Sequence, residues 1–201
     1  MTSQDSFNGH SLFLDTSYGI TLGLLDREYR WLEFEVLEGQ KSSEIIHDKI
    51  NIFLEKHQVD IQSIDIFVLS GPGSYTGLRV SQGIAQIFEL NGAKVYSFDI
   101  FKVGIILSEH IEAGMKWIFP AFKSELYIRD VTQDEGELVD ESAELLDKYI
   151  THGSNKFDAL SKLNSRQLIK DYAPRVFSEV KNRSLRDEIF YFRTLDKEFS
   201  K

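Results

Sequence analysis

The feature that most constrains this chain is the run Leu69-Ser70-Gly71-Pro72-Gly73-Ser74-Tyr75-Thr76-Gly77-Leu78-Arg79. Residues 64–69 before it are apolar and rich in β-branched side chains. After it, Leu78, Val80, Ile84, Ile87 and Phe88 recur at helical spacing, so the run joins a strand to a helix. Pro72 suits the second position of a type I or II turn, and Gly73 is then expected to take the positive φ that follows in type II. Ser74 is placed to cap the helix, whose first amides otherwise lack acceptors.

Three readings of this run are open. A glycine-rich turn at a helix start can hold a phosphate on free amides, although no Gly-Lys-Ser or Gly-Lys-Thr follows as in a P-loop. A tight strand-to-helix connection with no ligand is the plain alternative. The third reading comes from the helix. At 100° per residue Gly77, Ser81 and Ala85 form a small-residue ridge beside an expected core stripe of Val80, Ile84 and Ile87. Such a ridge lets another backbone approach, either the chain's own sheet or a second protein.

Along the rest of the first half, strands are expected at 11–15, 20–25 and 29–37, joined by short turns into an antiparallel meander. Ser42 or Ser43 is placed to cap a helix running to about residue 58, with Ile46, Ile50, Phe53 and Leu54 inward and Ile45 and Ile52 together on a flank. A strand at 64–69, a helix to about 90 stopped by Asn91-Gly92, a strand at 95–98 and a helix at 101–113 complete a βββαβαβα order. The second half is expected to hold strands at 116–122, 125–130 and 189–193, and helices at 141–148 and 160–172. This gives two lobes, 1–115 and 116–201.

Composition removes several classes of function. There is no cysteine among the 201 residues, so disulfides and thiolate metal sites are excluded. The start has neither a basic n-region nor an apolar h-region, and no apolar run approaches membrane-spanning length, so a cytoplasmic location is expected. The formal net charge of −9 argues against a main role in gripping nucleic acid, where phosphate neutralisation dominates. That charge is uneven, with 12 basic and 25 acidic residues over 1–155 against 11 and 7 over 156–201.

Residues 70–79, with the strand before them and the small-residue helix after, closely resemble the Gly-Pro-Gly-Ser-(Phe/Tyr)-Thr-Gly-(Leu/Val)-Arg signature of the TsaB (YeaZ) family, which supports bacterial synthesis of threonylcarbamoyladenosine in tRNA. Glu125-Leu126-Tyr127 is similar to the family's Gly-Glu-Val-Tyr strand, and Phe190-Tyr191-Phe192-Arg193 resembles its terminal Tyr-Leu-Arg. Pro120 and Phe122 replace the Asp and Arg of the family's Asp-Ala-Arg, and Lys41 stands where its first helix usually opens with His.

The resemblance implies an α/β fold of the actin-like ATPase class, ribonuclease H-like, in two lobes with the C-terminal one shortened. It implies a non-catalytic paralogue that pairs with the TsaD-type threonylcarbamoyl transferase through the first two helices of its N-terminal lobe. A TsaE-type ATPase is the implied third partner, with tRNA met only through the complex, no membrane partner, and no cofactor of its own beyond ATP and Mg²⁺ acting at the level of the complex. The residues expected at the partner interface are Ile45, Ile52, Tyr75, Gly77, Leu78, Ser81 and Ala85, and self-pairing through the same patch would make a homodimer of the isolated chain.

The alternative is an independent small ATPase or kinase of the same superfamily. It rests on Asp15, Thr16 and Ser17, similar to the superfamily's phosphate-contacting turn, together with Gly71 and Gly73 as a weak nucleotide site. A second phosphate loop is not recognisable in the C-terminal half. The metal-binding pair of His four apart that marks TsaD is missing, because none of His10, His47, His57, His110 and His152 has such a neighbour. No Gly-x-Ser-x-Gly elbow occurs either, and a Ser-His-Asp set assembled from distant segments leaves no trace in spacing.

Overall fold

Every residue of Ser11–Asp15 (β1) and Ile20–Leu25 (β2) is buried, so these strands lack the alternation of a sheet with one wet face and must be covered on both sides. The computed structural model, which describes residues 9–39, 41–121, 124–142, 148–153 and 161–192, shows what covers them. β1 pairs antiparallel with β2, and β2 with Trp31–Leu37 (β3), while Asp65–Leu69 (β4) and Lys94–Phe98 (β5) add in parallel on the other side of β1. The sheet order is β3-β2-β1-β4-β5.

The connecting helices are Ser42–Lys56 (α1), Tyr75–Leu90 (α2) and Ile100–Ile106 (α3). α1 and α2 close one face of this sheet, with Ile46, Ile50, Phe53, Ile84, Ala85 and Phe88 packed on Leu12, Leu14, Leu22, Leu24, Ile66 and Val68. The opposite face, carrying Phe13, Phe67 and Phe98, turns into a larger aromatic core shared with the second half of the chain.

That half builds a second five-stranded sheet from Lys116–Pro120 (β6), Glu125–Asp130 (β7), Glu137–Asp140 (β8), Tyr149–Thr151 (β9) and Ser161–Asn164 (β10). Its order, β8-β7-β6-β9-β10, repeats that of the first, with two antiparallel neighbours on one side of β6 and two parallel ones on the other. The fold is therefore α/β with two lobes of one topology, as the actin-like resemblance implies. Its strands β8, β9 and β10 have four, three and four residues.

Ser165–Asp171 (α4) and Ala173–Asn182 (α5) follow β10. Phe177 of α5 reaches across to the first sheet, with ring centroids 4.9 Å from Phe67, 5.3 Å from Phe13 and 5.6 Å from Trp31.

Several local expectations are corrected. Positive φ falls at Gly71 (123°), ahead of a cis Gly71–Pro72 bond, and Gly73 has none. α1 is preceded by Lys41, which makes no side-chain cap bond, so neither Ser42 nor Ser43 is the cap. Ile87 is 51% exposed and does not join the core stripe. α3 stops at Ile106 and continues only as a 3₁₀ turn at Ser108–His110.

In the second half, residues 161–164 of the expected 160–172 helix are strand β10, and residues 189–192 are not a strand. Residue 193 of that last segment, residue 160, and residues 143–147 of the expected 141–148 helix lie outside the described residues.

Candidate functional site

Asp15 ends β1, and the turn that follows is where the nucleotide reading places its chemistry. Asp15, Thr16 and Ser17 are all buried. The Ser17 amide and hydroxyl both donate to Asp15 Oδ1, at 2.9 and 2.5 Å, which closes an Asx-type turn. The remaining contacts come from the other lobe. His152, just past β9, brings Nε2 to 2.7 Å from Ser17 Oγ and 3.0 Å from Asp15 Oδ2, while its Nδ1 lies 2.5 Å from Ser165 Oγ. Arg166 donates to the Tyr18 carbonyl and places Nε 3.7 Å from Asp15 Oδ2. Neither approach to Oδ2 has the alignment of a hydrogen bond.

Burial alone would raise the pKa of Asp15, but the facing His152, the Arg166 guanidinium and the Ser17 hydroxyl override it and hold the carboxyl well below its usual range. The same burial, reinforced by the Asp15 charge, pushes the Tyr18 phenol up.

The polarity of the Ser17–His152 contact follows from proton counting. An ionised carboxylate only accepts, and Ser17 has one proton, which goes to Asp15. The His152 ring therefore donates at Nε2. A nucleophilic serine needs the reverse, a ring nitrogen that takes the hydroxyl proton. Ser17 and His152 are moreover both fully buried. Among the described residues no group of three or more His, Asp or Glu side chains is placed to hold a metal ion.

The signature loop is shaped by the same turn. Ser74 donates its amide to the Ser17 carbonyl at 2.8 Å and accepts at its hydroxyl from the Gly77 amide, which makes it the expected cap of α2. A Cβ at Gly73 would sit 2.3 Å from Ser17 Cβ, and one at Gly77 would sit 1.9 Å from the Thr16 carbonyl oxygen. Both glycines are needed because the Asp15 turn lies against them. Gly71 is needed for a third reason: at its positive φ, an added Cβ would approach the Phe190 carbonyl to 2.8 Å. Above the loop, Thr16, Gly19, Lys41, Ser43, Ser74, Thr76 and Gly77 line a hollow of about 230 Å³ between the starts of α1 and α2.

The expected interface residues divide sharply. Gly77, Leu78, Ser81 and Ala85 are buried in their own chain, so the small-residue ridge is used by this molecule's sheet and by the Asp15 turn and is not offered to a partner. Ile45 is half-buried against the α1 side of the core, and Ile52 is 53% exposed. Lys49 and Lys56 on the same flank of α1 pair with Glu35 and Glu33 of β3, each at 2.8 Å. That flank therefore looks toward the β3 edge, whereas α2 lies over β1, β4 and β5. The two surplus surfaces do not merge into one patch.

A different face of α2 is open. Gly83, Ile87 and Leu90 recur at spacings of four and three, continuing the line of Val80, which itself packs on the core. Ile87 and Leu90 are 51% and 88% exposed, and a Cβ on Gly83 would meet nothing within 4 Å. Tyr75 and Arg79 stand beside this stripe, with the Arg79 guanidinium 4.3 Å from the Tyr75 ring centroid.

Sequence reading missed His152, Ser165 and Arg166. Their only local marks are the His152-Gly153 turn after a three-residue strand and Asn164, which caps α4 by accepting from the Arg166 amide. Nothing in the spacing ties them to a turn more than 130 residues earlier.

The geometry can now be set beside known proteins. The structure of YeaZ from Pseudomonas aeruginosa superposes with a TM-score of 0.57 at 18% identity, covering 91% of this chain and 100% of that one. An uncharacterized protein with similarity to peptidase YeaZ from Pseudomonas aeruginosa gives 0.59 at 18%, covering 92% and 100%. The fold is that of the YeaZ structures. At this identity the likeness is one of fold, and it extends through both lobes. No family model matches the sequence, and no curated protein is significantly similar to it.

Proposed function

We propose that this chain is a TsaB-type, non-catalytic partner that binds and activates a TsaD-type threonylcarbamoyl transferase in modification of tRNA adenosine. The observation that carries this reading is the open face of α2 at Gly83, Ile87 and Leu90, on a folded chain that packs Val80 of the same helix into its own core. A water-exposed aliphatic stripe with a bare glycine at one end suits a second helix packed lengthwise. The YeaZ fold and the signature at residues 70–79 support the choice of partner.

The non-catalytic half of the reading is supported by the Asp15 turn, whose carboxylate and hydroxyl are engaged by His152 and Arg166 of the second lobe. A TsaE-type ATPase, with ATP and Mg²⁺, and tRNA then join at the level of the complex. Among the described residues no helix is long and apolar enough to cross a membrane.

Size-exclusion chromatography with light scattering, run with and without the TsaD-type protein, tests the pairing. A heterodimer formed by the wild type and lost with Ile87→Asp supports it. An unchanged heterodimer with Ile87→Asp and Leu90→Asp together removes the α2 face from the reading.

One observation favours a second reading, an independent ATPase or kinase: the hydroxyl-lined hollow holding Lys41 where α1 and α2 begin. It predicts ATP turnover with Mg²⁺ by the purified chain alone, lost in Lys41→Glu. No turnover above the buffer rate would discard it.

A further inference from the structure

We propose that residues 185–192 form a strap that sets the pose of the first turn of α2, Tyr75 to Arg79, and thereby governs docking on the α2 face; the docking half of this inference rests on the function proposed above. The chain leaves α5 through Ser184, at φ 49°, and turns back along the outer edge of β5. The Ser97 amide donates to the Leu185 carbonyl, the Asp187 amide to the Ser97 carbonyl, each at 3.0 Å, and the Ser97 hydroxyl donates to the Asp187 carbonyl at 2.6 Å. These contacts cover the end of an otherwise open sheet edge.

Further along, the Phe190 amide donates to the Ser70 carbonyl at 2.8 Å, and the Phe190 carbonyl takes the space that Gly71 leaves. The side chains alternate in what they grip. Phe190 and Phe192 turn into the aromatic core shared by the two lobes, with ring centroids 5.3 Å from Phe101 for Phe190 and 4.7 Å from Tyr127 and 5.7 Å from Phe119 for Phe192. Tyr191, between them, lies 5.3 Å from Tyr75, whose ring also carries Arg79 at 4.3 Å.

Arg79, Tyr75 and Tyr191 are thus joined ring to ring, and the last of them is anchored at both neighbours in the inter-lobe core. Arg79 makes no ion pair among the described residues, so its direction on the surface is set through Tyr75 and the strap. At 100° per residue Tyr75 and Arg79 lie beside the line that Gly83, Ile87 and Leu90 continue toward the far end of α2, so releasing the strap frees the turn that bounds this face at its N-terminal end.

The test uses the full-length chain with Tyr191→Ala, which removes the ring contact and spares the half-buried Phe190 and Phe192, and with Tyr191→Phe as the conservative control. Hydrogen exchange of the Gly77, Leu78 and Arg79 amides should quicken about threefold to tenfold in Tyr191→Ala, the range an aromatic pair supplies, and return in Tyr191→Phe. Affinity for the TsaD-type protein should weaken by a similar factor. Unchanged exchange at these amides would overturn the strap. Faster exchange with unchanged affinity would overturn its hold on docking. If the wild type fails to bind the TsaD-type protein, the proposed function falls, while the exchange measurement still decides whether the strap positions this turn.

Discussion

Thr16 and Gly77, sixty-one residues apart, hold each other face to face: the Thr16 hydroxyl donates to the Gly77 carbonyl at 2.6 Å, and the Thr16 carbonyl lies where a Cβ on Gly77 would be. The turn after β1 and the start of α2 are thereby one unit. Gly77→Ala cannot be accommodated without moving backbone, because the obstructing atom is a main-chain oxygen at 1.9 Å. The variant is expected to lose about 1–3 kcal/mol in urea unfolding, as overpacked cores do. A loss below about 0.5 kcal/mol, the level of an inert surface change, would show that the two segments move apart freely.

The clasp between Asp15, His152 and Arg166 makes stability depend on acid. A carboxyl whose folded pKa lies below its unfolded one contributes stability that is complete above the unfolded value, about 3.9, and drains as pH falls beneath it. Asp15→Asn should be less stable at pH 7 by about 3 kcal/mol, since it leaves His152 and Arg166 facing a neutral amide. It should also lose less on going from pH 5 to pH 3 than the wild type does. Parallel stability curves for the two proteins over that span would refute the clasp.

A charge on α2 should act in opposite ways according to the side it enters. Ile87→Asp lies in water and is expected to change monomer stability by less than about 0.5 kcal/mol while abolishing pairing with the TsaD-type protein. Leu78→Asp or Ser81→Arg would bury an unpaired charge and unfold the chain, so neither reports on an interface. Thermal melts of the three variants alone, before any partner is added, separate these cases. A folded Ser81→Arg monomer would contradict the buried ridge.

Much of the fold was legible because its signals are local. The spans of β1, β2 and β7 match the expected residues, and the Ser74 cap and the Asn91-Gly92 stop bound α2 as read. The ridge of Gly77, Ser81 and Ala85 was also real. Its partner was not legible, since a small-residue stripe has the same spacing whether the chain's own backbone or another's lies upon it. Ile87 was placed in the core because it follows Ile84 by three, and only the position of the sheet shows that α2 turns that residue outward.

β9 escapes a sequence reading for its length of three residues, and α5 because apolar periodicity is weak across residues 151–181. Pro174 sits in the first turn, where the lost amide costs nothing, and Val176, Phe177 and Val180 carry the inward spacing. For the clasp no local rule exists: His152 and Asp15 acquire meaning only when the two sheets are brought together.

Phe177→Ala should be among the most damaging single changes, at about 3–5 kcal/mol, because its ring is fully buried against Phe13, Tyr29, Trp31, Phe67 and Phe98. Differential scanning calorimetry of this variant against the wild type provides the check, and a loss under about 1 kcal/mol would mean that α5 contributes little to the first sheet.

The reach of α5 across the molecule also sets an order of assembly during synthesis. While the ribosome is still making the second half, the first sheet has α1 and α2 on one side, and on the other Phe13, Phe67 and Phe98 meet Tyr29, Trp31 and Tyr96 but still lack Phe177. The nascent first half must wait, with one face wet, until Phe177 emerges from the exit tunnel to seal it.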